Sequence, residues 1–248
     1  MLIDTHCHIH EVDYPLDSGD TIARAHVAGV EKMICVGTSE DSSRRAVAFA
    51  SEYDEVYAAI GVHPHETKDG FKDIKQLISS KKLIAVGEIG LDYFYNNSPR
   101  DVQIEALKWQ IEFAVSNNLP VIFHVRDAFD DFWPIFDSFK GVRGVIHSFT
   151  DNQLNLEAAL SRGLYVGLNG ISTFTKSDTQ KAIFNSIPID RLLLETDAPF
   201  LTPVPLRGKV NEPAFVKNIA EYHAKARQIS VEEIASITSA NARALFAL

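Results

Sequence analysis

Eight short apolar runs recur along the chain, spaced so that a helix fits between most neighbouring pairs. They are LIDTH (2–6), KMICVG (32–37), VYAAIG (56–61), LIAVGEIG (83–90), PVIFHV (120–125), GVIHSF (144–149), LYVGLN (164–169) and RLLLET (191–196). Each has the length and the β-branched, near-continuous apolar character of a strand buried on both faces. The stretches between them repeat their apolar positions at helical spacing. In 98–117, Ser98 can cap, Pro99 suits the first helical position and Asp101 places negative charge in the first turn. Ile104, Leu107, Ile111, Ala114 and Val115 then mark one face, and Asn118 can close the end. Residues 152–162, 175–187, 212–227 and 231–247 read as helices too, and Pro134 should kink or restart the helix that contains it.

Strand–helix alternation repeated eight times predicts a closed (β/α)8 TIM barrel, α/β in class, formed by residues 1–248 as a single domain. No repeat, low-complexity tract or linker divides the chain. A doubly wound open sheet is the rival, weakened by the regularity of the eight units and by the lack of a GxGxxG turn.

Composition narrows the class. With 248 residues and 46% hydrophobic content the core can be large, yet no apolar stretch approaches the roughly 18 residues of a membrane span. The opening MLIDTHCHIH lacks the basic and apolar regions of a secretory signal. Two cysteines, Cys7 and Cys35, make no disulfide framework and suit reduced thiols, so a cytoplasmic location is expected. A net charge of −9 argues against a broad nucleic-acid-binding face, though not against a local site whose positive charge comes from metal ions.

In a barrel, chemistry sits where the strands end and the βα loops begin. Those positions carry His6 and His8, then His63 and His65, Glu88, His124, His147 and Asp197. Imidazoles with carboxylates suit Zn²⁺ or Mn²⁺, and carboxylate with water also accepts Mg²⁺. The two-residue period of a strand puts His6 and His8 on one side and turns Cys7 away, so Cys7 should not be a ligand. A carboxylate such as Glu88 can bridge two cations, and two cations together can activate a water and stabilise a leaving oxygen.

The stretches IDTHCH (3–8), GVHPH (61–65), GEIGLDY (87–93), VIFHVRDA (121–128), VIHSFT (145–150), LLETDAPFLTP (193–203) and RGKVNEP (207–213) resemble, in order, the motifs of the TatD family of metal-dependent deoxyribonucleases, within the amidohydrolase-like barrels. The resemblance implies that His6, His8, Glu88 and Asp197 bind one metal and that Glu88, His124 and His147 bind a second, with Glu88 bridging. It departs from the family at Ser148, where a cysteine is usual, and at Asp151-Asn152, where a serine or glycine-serine pair is usual; both bear on substrate fit.

Around that set, Asp197 is the candidate general base, with Glu88 and His63 as further catalytic residues. Glu195, on the same face but deeper, suits a supporting role. His63, His65, Arg126 and Arg207 are candidate substrate contacts, the arginines through phosphate oxygens; Lys209 is a weaker one. Asp92 should hold the loop after the fourth strand, and His10 should lie in a loop. His26 and His223 read as surface or packing residues. Aromatics in DYFYNN (92–97) and DAFDDFW (127–133) either stack on bases or pack, with packing at least as well supported for Phe132 and Trp133.

The expected activity is hydrolysis of DNA phosphodiester bonds by a dinuclear metal site. The resemblance adds a 3′→5′ exonuclease preference for single strands or ends and a role in repair. DNA is the expected partner; no membrane and no obligate protein partner is implied. A small-molecule amidohydrolase or esterase would use the same metal cradle, and a non-catalytic metal-binding scaffold is the third reading.

Overall fold

The computed structural model describes residues 1–95 and 97–248. Its strands are β1 (Leu2–Cys7), β2 (Val30–Val36), β3 (Val56–Ile60), β4 (Leu83–Asp92), β5 (Val121–Arg126), β6 (Gly144–Ile146), β7 (Tyr165–Leu168) and β8 (Leu192–Leu194). They form one sheet in the order β1 to β8. The longer helices are α1 (Ser18–Val27), α2 (Glu40–Glu52), α3 (Arg100–Ser116), α4 (Phe129–Asp137) and α5 (Gln153–Ser161). After these come α6 (Ile171–Phe174), α7 (Asp178–Ser186), α8 (Val216–Arg227) and α9 (Val231–Phe246). The fold is the (β/α)8 barrel that the pattern predicts. By internal contacts the chain divides into two compact units, Met1–Ile34 with His147–Leu248, and Cys35–Ile146.

In the first unit, every residue of β1 is buried, as an inner parallel strand requires. The end of β1 meets the segment after β8: Cys7 forms a parallel bridge to Ala198, and the Asp197 N–H donates to the His6 carbonyl at 2.8 Å. The first strand and the segment after the last therefore meet where the first histidines lie. Below them α9 is tied to the strands, with Asn241 Nδ2 donating to the carbonyls of Ile189 and Leu192.

In the second unit, β3, β4, β5 and β6 pair in parallel, with Val86 opposite Val121 and Phe123 opposite Ile146. Two ring clusters flank them. Ile60, Val62, Phe71 and Ile74 pack with Trp109 and Phe113 of α3. Phe123 packs against Phe132 and Phe136 of α4, and Trp133 packs on Phe129.

Three details differ from the sequence pattern. After β3 there is no α-helix among the described residues, only 3-10 turns over Thr67–Asp69 and Asp73–Leu77. Gly70, at φ +118° between them, interrupts any continuous helix. At the start of α3, Pro99 occupies the cap position and Ser98 does not cap; its hydroxyl donates to the His65 carbonyl at 2.7 Å and accepts from the Lys68 N–H. Finally, α4 runs through Pro134 as one element, because its aromatic face is anchored on both sides of the proline. Asn118, at φ 54° just past α3, does close that helix. No helix of the described residues is long and apolar enough to cross a membrane.

Candidate metal centre

Each unit holds one cluster of potential ligands. In the first, His6 and His8 leave β1 on the same side, as alternation predicts. Their Nε2 atoms lie 3.1 Å apart, and Asp197 Oδ1 stands 3.6 Å from His6 and 3.4 Å from His8. One ligand atom from each of the three residues falls within 4.8 Å of the others. Burial alone would raise the Asp197 carboxyl, but hydrogen bonding to His8 and the charge of His6 and His147 hold it down to about 2. It is therefore a carboxylate at neutral pH. Asp197 has φ 59°, a left-handed conformation rare outside glycine and asparagine. A buried clasp maintains it: Asp4 accepts from the Thr196 N–H at 2.8 Å and the Thr196 hydroxyl at 2.6 Å, and Asn211 donates to the Thr196 carbonyl.

His147 joins this unit by stacking on His6, with ring centroids 4.0 Å apart. Its Nδ1 lies 3.3 Å from Glu195 Oε1, which also accepts the Ser148 N–H at 2.6 Å. Gly167 makes room for that carboxylate, since a Cβ there would sit 2.4 Å from Glu195 Oε2. Glu195 thus lies directly behind His147 and fixes the Ser148 turn beside it.

In the second unit, His63, Glu88 and His124 offer three ligand atoms within 4.8 Å of one another. Glu88 Oε1 lies 2.9 Å from His124 Nδ1 and 3.5 Å from His63 Nε2. Gly87 lets β4 and β5 approach closely beside Glu88; a Cβ on it would lie 2.6 Å from that of Ile122. Burial, then the neighbouring His124, pushes the His63 pKa well below its ordinary value. Neutral His63 accepts the His65 N–H at Nδ1 (3.2 Å), so its Nε2, facing Glu88, carries the proton.

The opposite nitrogen of His124, Nε2, lies 2.9 Å from Asp92 Oδ2, and His65 Nε2 lies 3.0 Å from the same oxygen. Asp92 Oδ1 accepts the N–H groups of Phe94 and Tyr95. Asp92 holds the loop as expected, but it also orients His124. Burial works against its ionisation; the hydrogen bond from His124, the Tyr95 N–H and the charge of His124 and His65 win, leaving its pKa well below the usual carboxylate range.

Other expected contacts spread more widely. Arg126 is exposed, with its guanidinium over the rings of Phe94 (4.0 Å) and Tyr95 (4.8 Å). Arg207 instead donates to the Thr202 carbonyl at 2.7 Å and lies over Phe174 at 3.8 Å, fastening its own loop. Lys209 is exposed. His10 lies in the turn after β1, buried, 3.4 Å from Glu11. His223 is fully buried against the Ser172 hydroxyl. Cys7 turns away from the histidines and meets the Ile34 carbonyl. Ser148 accepts from Asn169 Nδ2, and Asn152 caps α5.

Both clusters fit divalent cations by donor chemistry. In each, imidazole nitrogens converge with a buried or half-buried carboxylate at ligand separations, and Asp92 orients His124 from behind.

A (β/α)8 fold with such clusters after its strands defines a metal-dependent hydrolase. The chain belongs to the TatD-related DNase family, whose model matches residues 3–247. It is 41% identical to an uncharacterised metal-dependent hydrolase, YabD, of Bacillus subtilis, over 99% of both chains. It is 33% identical to the 3′-5′ ssDNA/RNA exonuclease TatD of Salmonella typhimurium, over 99% of this chain and 98% of that one. Among solved structures, the TatD homologue YJJV of Escherichia coli K12 superposes with a TM-score of 0.89 at 31% identity, covering 100% of this chain and 98% of that one.

Proposed function

We propose that this hydrolase cleaves phosphodiester bonds of single-stranded DNA, or of DNA ends, from 3′ to 5′ in the cytoplasm, with DNA repair as its setting. The reading takes residues 1–248 as one working domain. The observation that carries it is the pair of clusters, His6–His8–Asp197 and His63–Glu88–His124, in a chain that shares a third of its sequence with a named single-strand exonuclease.

Bound there, a pair of divalent cations (Mg²⁺, Mn²⁺ or Zn²⁺) would supply Lewis acidity toward the phosphoryl oxygens and favour ionisation of water. In this proposal His6, His8 and Asp197 would hold one cation, and Glu88, His124 and His147 would hold the other. His63 stands beside this set, its Nε2 3.5 Å from Glu88. Asp197, ionised at neutral pH, accepts the proton of the attacking water as the new oxygen–phosphorus bond forms. The bond to the leaving sugar oxygen breaks, and that oxygen takes up the proton. Neutral His63 is placed to hydrogen-bond a phosphate oxygen, with His65 and Arg126 as outer contacts.

The test is turnover by metal-reconstituted protein on end-labelled single-stranded DNA beside a panel of amides and esters. Cleavage of the DNA is expected. Intact DNA with each of the three metals, together with rapid amide or ester hydrolysis, overturns the reading in favour of a small-molecule hydrolase.

A further inference from the structure

The loop after β4 presents two neighbouring aromatic side chains to solvent. Phe94 and Tyr95 are 56% and 54% exposed, in a chain where the other large exposed aromatic among the described residues is Phe200. Leaving two such rings more than half exposed forgoes part of the stabilisation that burial would give, and adjoining exposed rings form a contact surface. The contrast with DAFDDFW is direct: Phe132 is fully buried, and Trp133 packs on Phe129 and Phe132.

These rings are also held firmly. Both backbone N–H groups donate to Asp92 Oδ1, at 3.0 and 3.1 Å, while the other oxygen of the same carboxylate meets His124 and His65. The Tyr93 N–H continues the β4–β5 ladder by donating to the Arg126 carbonyl, and the Tyr93 hydroxyl donates to Asp131. Tyr95 stands edge-on to His65 at 5.4 Å. The guanidinium of Arg126 lies over both rings. The result is a rigid patch, two planar faces and a cation, that shares one carboxylate with a candidate metal ligand.

We infer that Phe94, Tyr95 and Arg126 form a nucleobase-stacking subsite for a single-stranded polynucleotide. The rings take an unpaired base beside the scissile linkage and Arg126 pairs with the adjoining phosphate. The inference rests on the hydrolytic reading above and specifies how its substrate is gripped. Stacking suits a sequence-tolerant enzyme, because every base has a π-face. The cation suits a chain of net charge −9, which otherwise repels polyanions.

The test crosses protein and ligand variants. Binding of a fluorescent single strand is measured by anisotropy in an Asp197→Asn background, so that the strand survives, and cleavage is measured separately with otherwise wild-type protein. Each strand is used with its natural bases or with an abasic residue at the terminal or penultimate position. Removing the base should weaken binding about tenfold. Phe94→Ala with Tyr95→Ala should weaken binding of the natural strand about as much, yet make no difference with the abasic strand. Phe94→Trp, with Tyr95 retained, should keep the parent's affinity and its preference for the natural strand. A double variant that still distinguishes natural from abasic strands, or binds natural strands as the parent does, overturns the subsite. Base-dependent binding without cleavage by the wild-type protein overturns the hydrolytic reading and leaves the subsite standing.

Discussion

At the scale of single residues, Asp197 concentrates the chemistry. It is ionised, it faces both histidines of β1, and it sits in a backbone conformation that only a closed network of neighbours maintains. Asp197→Asn should cut turnover at least about 100-fold while leaving the circular dichroism spectrum unchanged; a variant near the wild-type rate would remove Asp197 from the mechanism. Glu195→Gln should weaken divalent-metal binding about 10- to 100-fold, as read by calorimetric titration. His223 gives a pH signature away from the site. Burial, then the nearby Arg227, lowers its pKa from 6.5 to about 3 in the folded chain. Between those values the unfolded chain binds the extra proton, so stability rises with pH and is lost as pH falls through the window. His223→Gln should flatten that acid limb in denaturant titrations by at most about 1.4 kcal/mol per pH unit.

The residues legible in the sequence were those whose position follows from strand alternation. His6 and His8 share a face because they are two apart in a strand, and Cys7 turns away for the same reason. The sequence suggests supporting work for Asp92 and Glu195 but does not reveal their partners. The contacts of Asp92 with His124 and of Glu195 with Ser148 join segments 32 and 47 residues apart in sequence. The sequence offers Arg207 as a phosphate contact but does not show its local anchoring, one N–H on the Thr202 carbonyl and the guanidinium over Phe174.

Among elements, the strands were readable because buried parallel strands are apolar throughout, and all eight occur where the runs lie. Their ends were less so: the run 144–149 contains a strand of only three residues, since Ser148 adopts a left-handed turn that presents its N–H to Glu195. The segment after β3 has apolar residues but no sustained helical period, and it folds as 3-10 turns around Gly70. Helix α4 carries an exposed proline in its interior, where the missing N–H and the ring both cost helix stability. Pro134→Ala should therefore stabilise the protein by about 1 kcal/mol or more, raising the thermal midpoint by about 2–4 °C. A lower midpoint would mean that the ring contributes packing that outweighs the lost hydrogen bond.

For the whole molecule, a chain of net charge −9 acting on DNA as proposed would need its positive charge supplied locally, by cations and by Arg126, rather than spread over a face. Metal should then stabilise as well as activate. Stripping the protein with a chelator should lower its thermal midpoint by about 5 °C or more, and adding back Mn²⁺ should restore it; an unchanged midpoint would show that neither cluster takes up metal. The most direct measurement is a time course on a 5′-end-labelled single strand with metal-loaded protein, run beside the Asp197→Asn variant. The expected result is a ladder that shortens nucleotide by nucleotide from the 3′ end with the wild type and stays intact with the variant. A strand that survives with the wild type, or a ladder that forms equally fast with Asp197→Asn, would contradict a metal-dependent nuclease built on these residues.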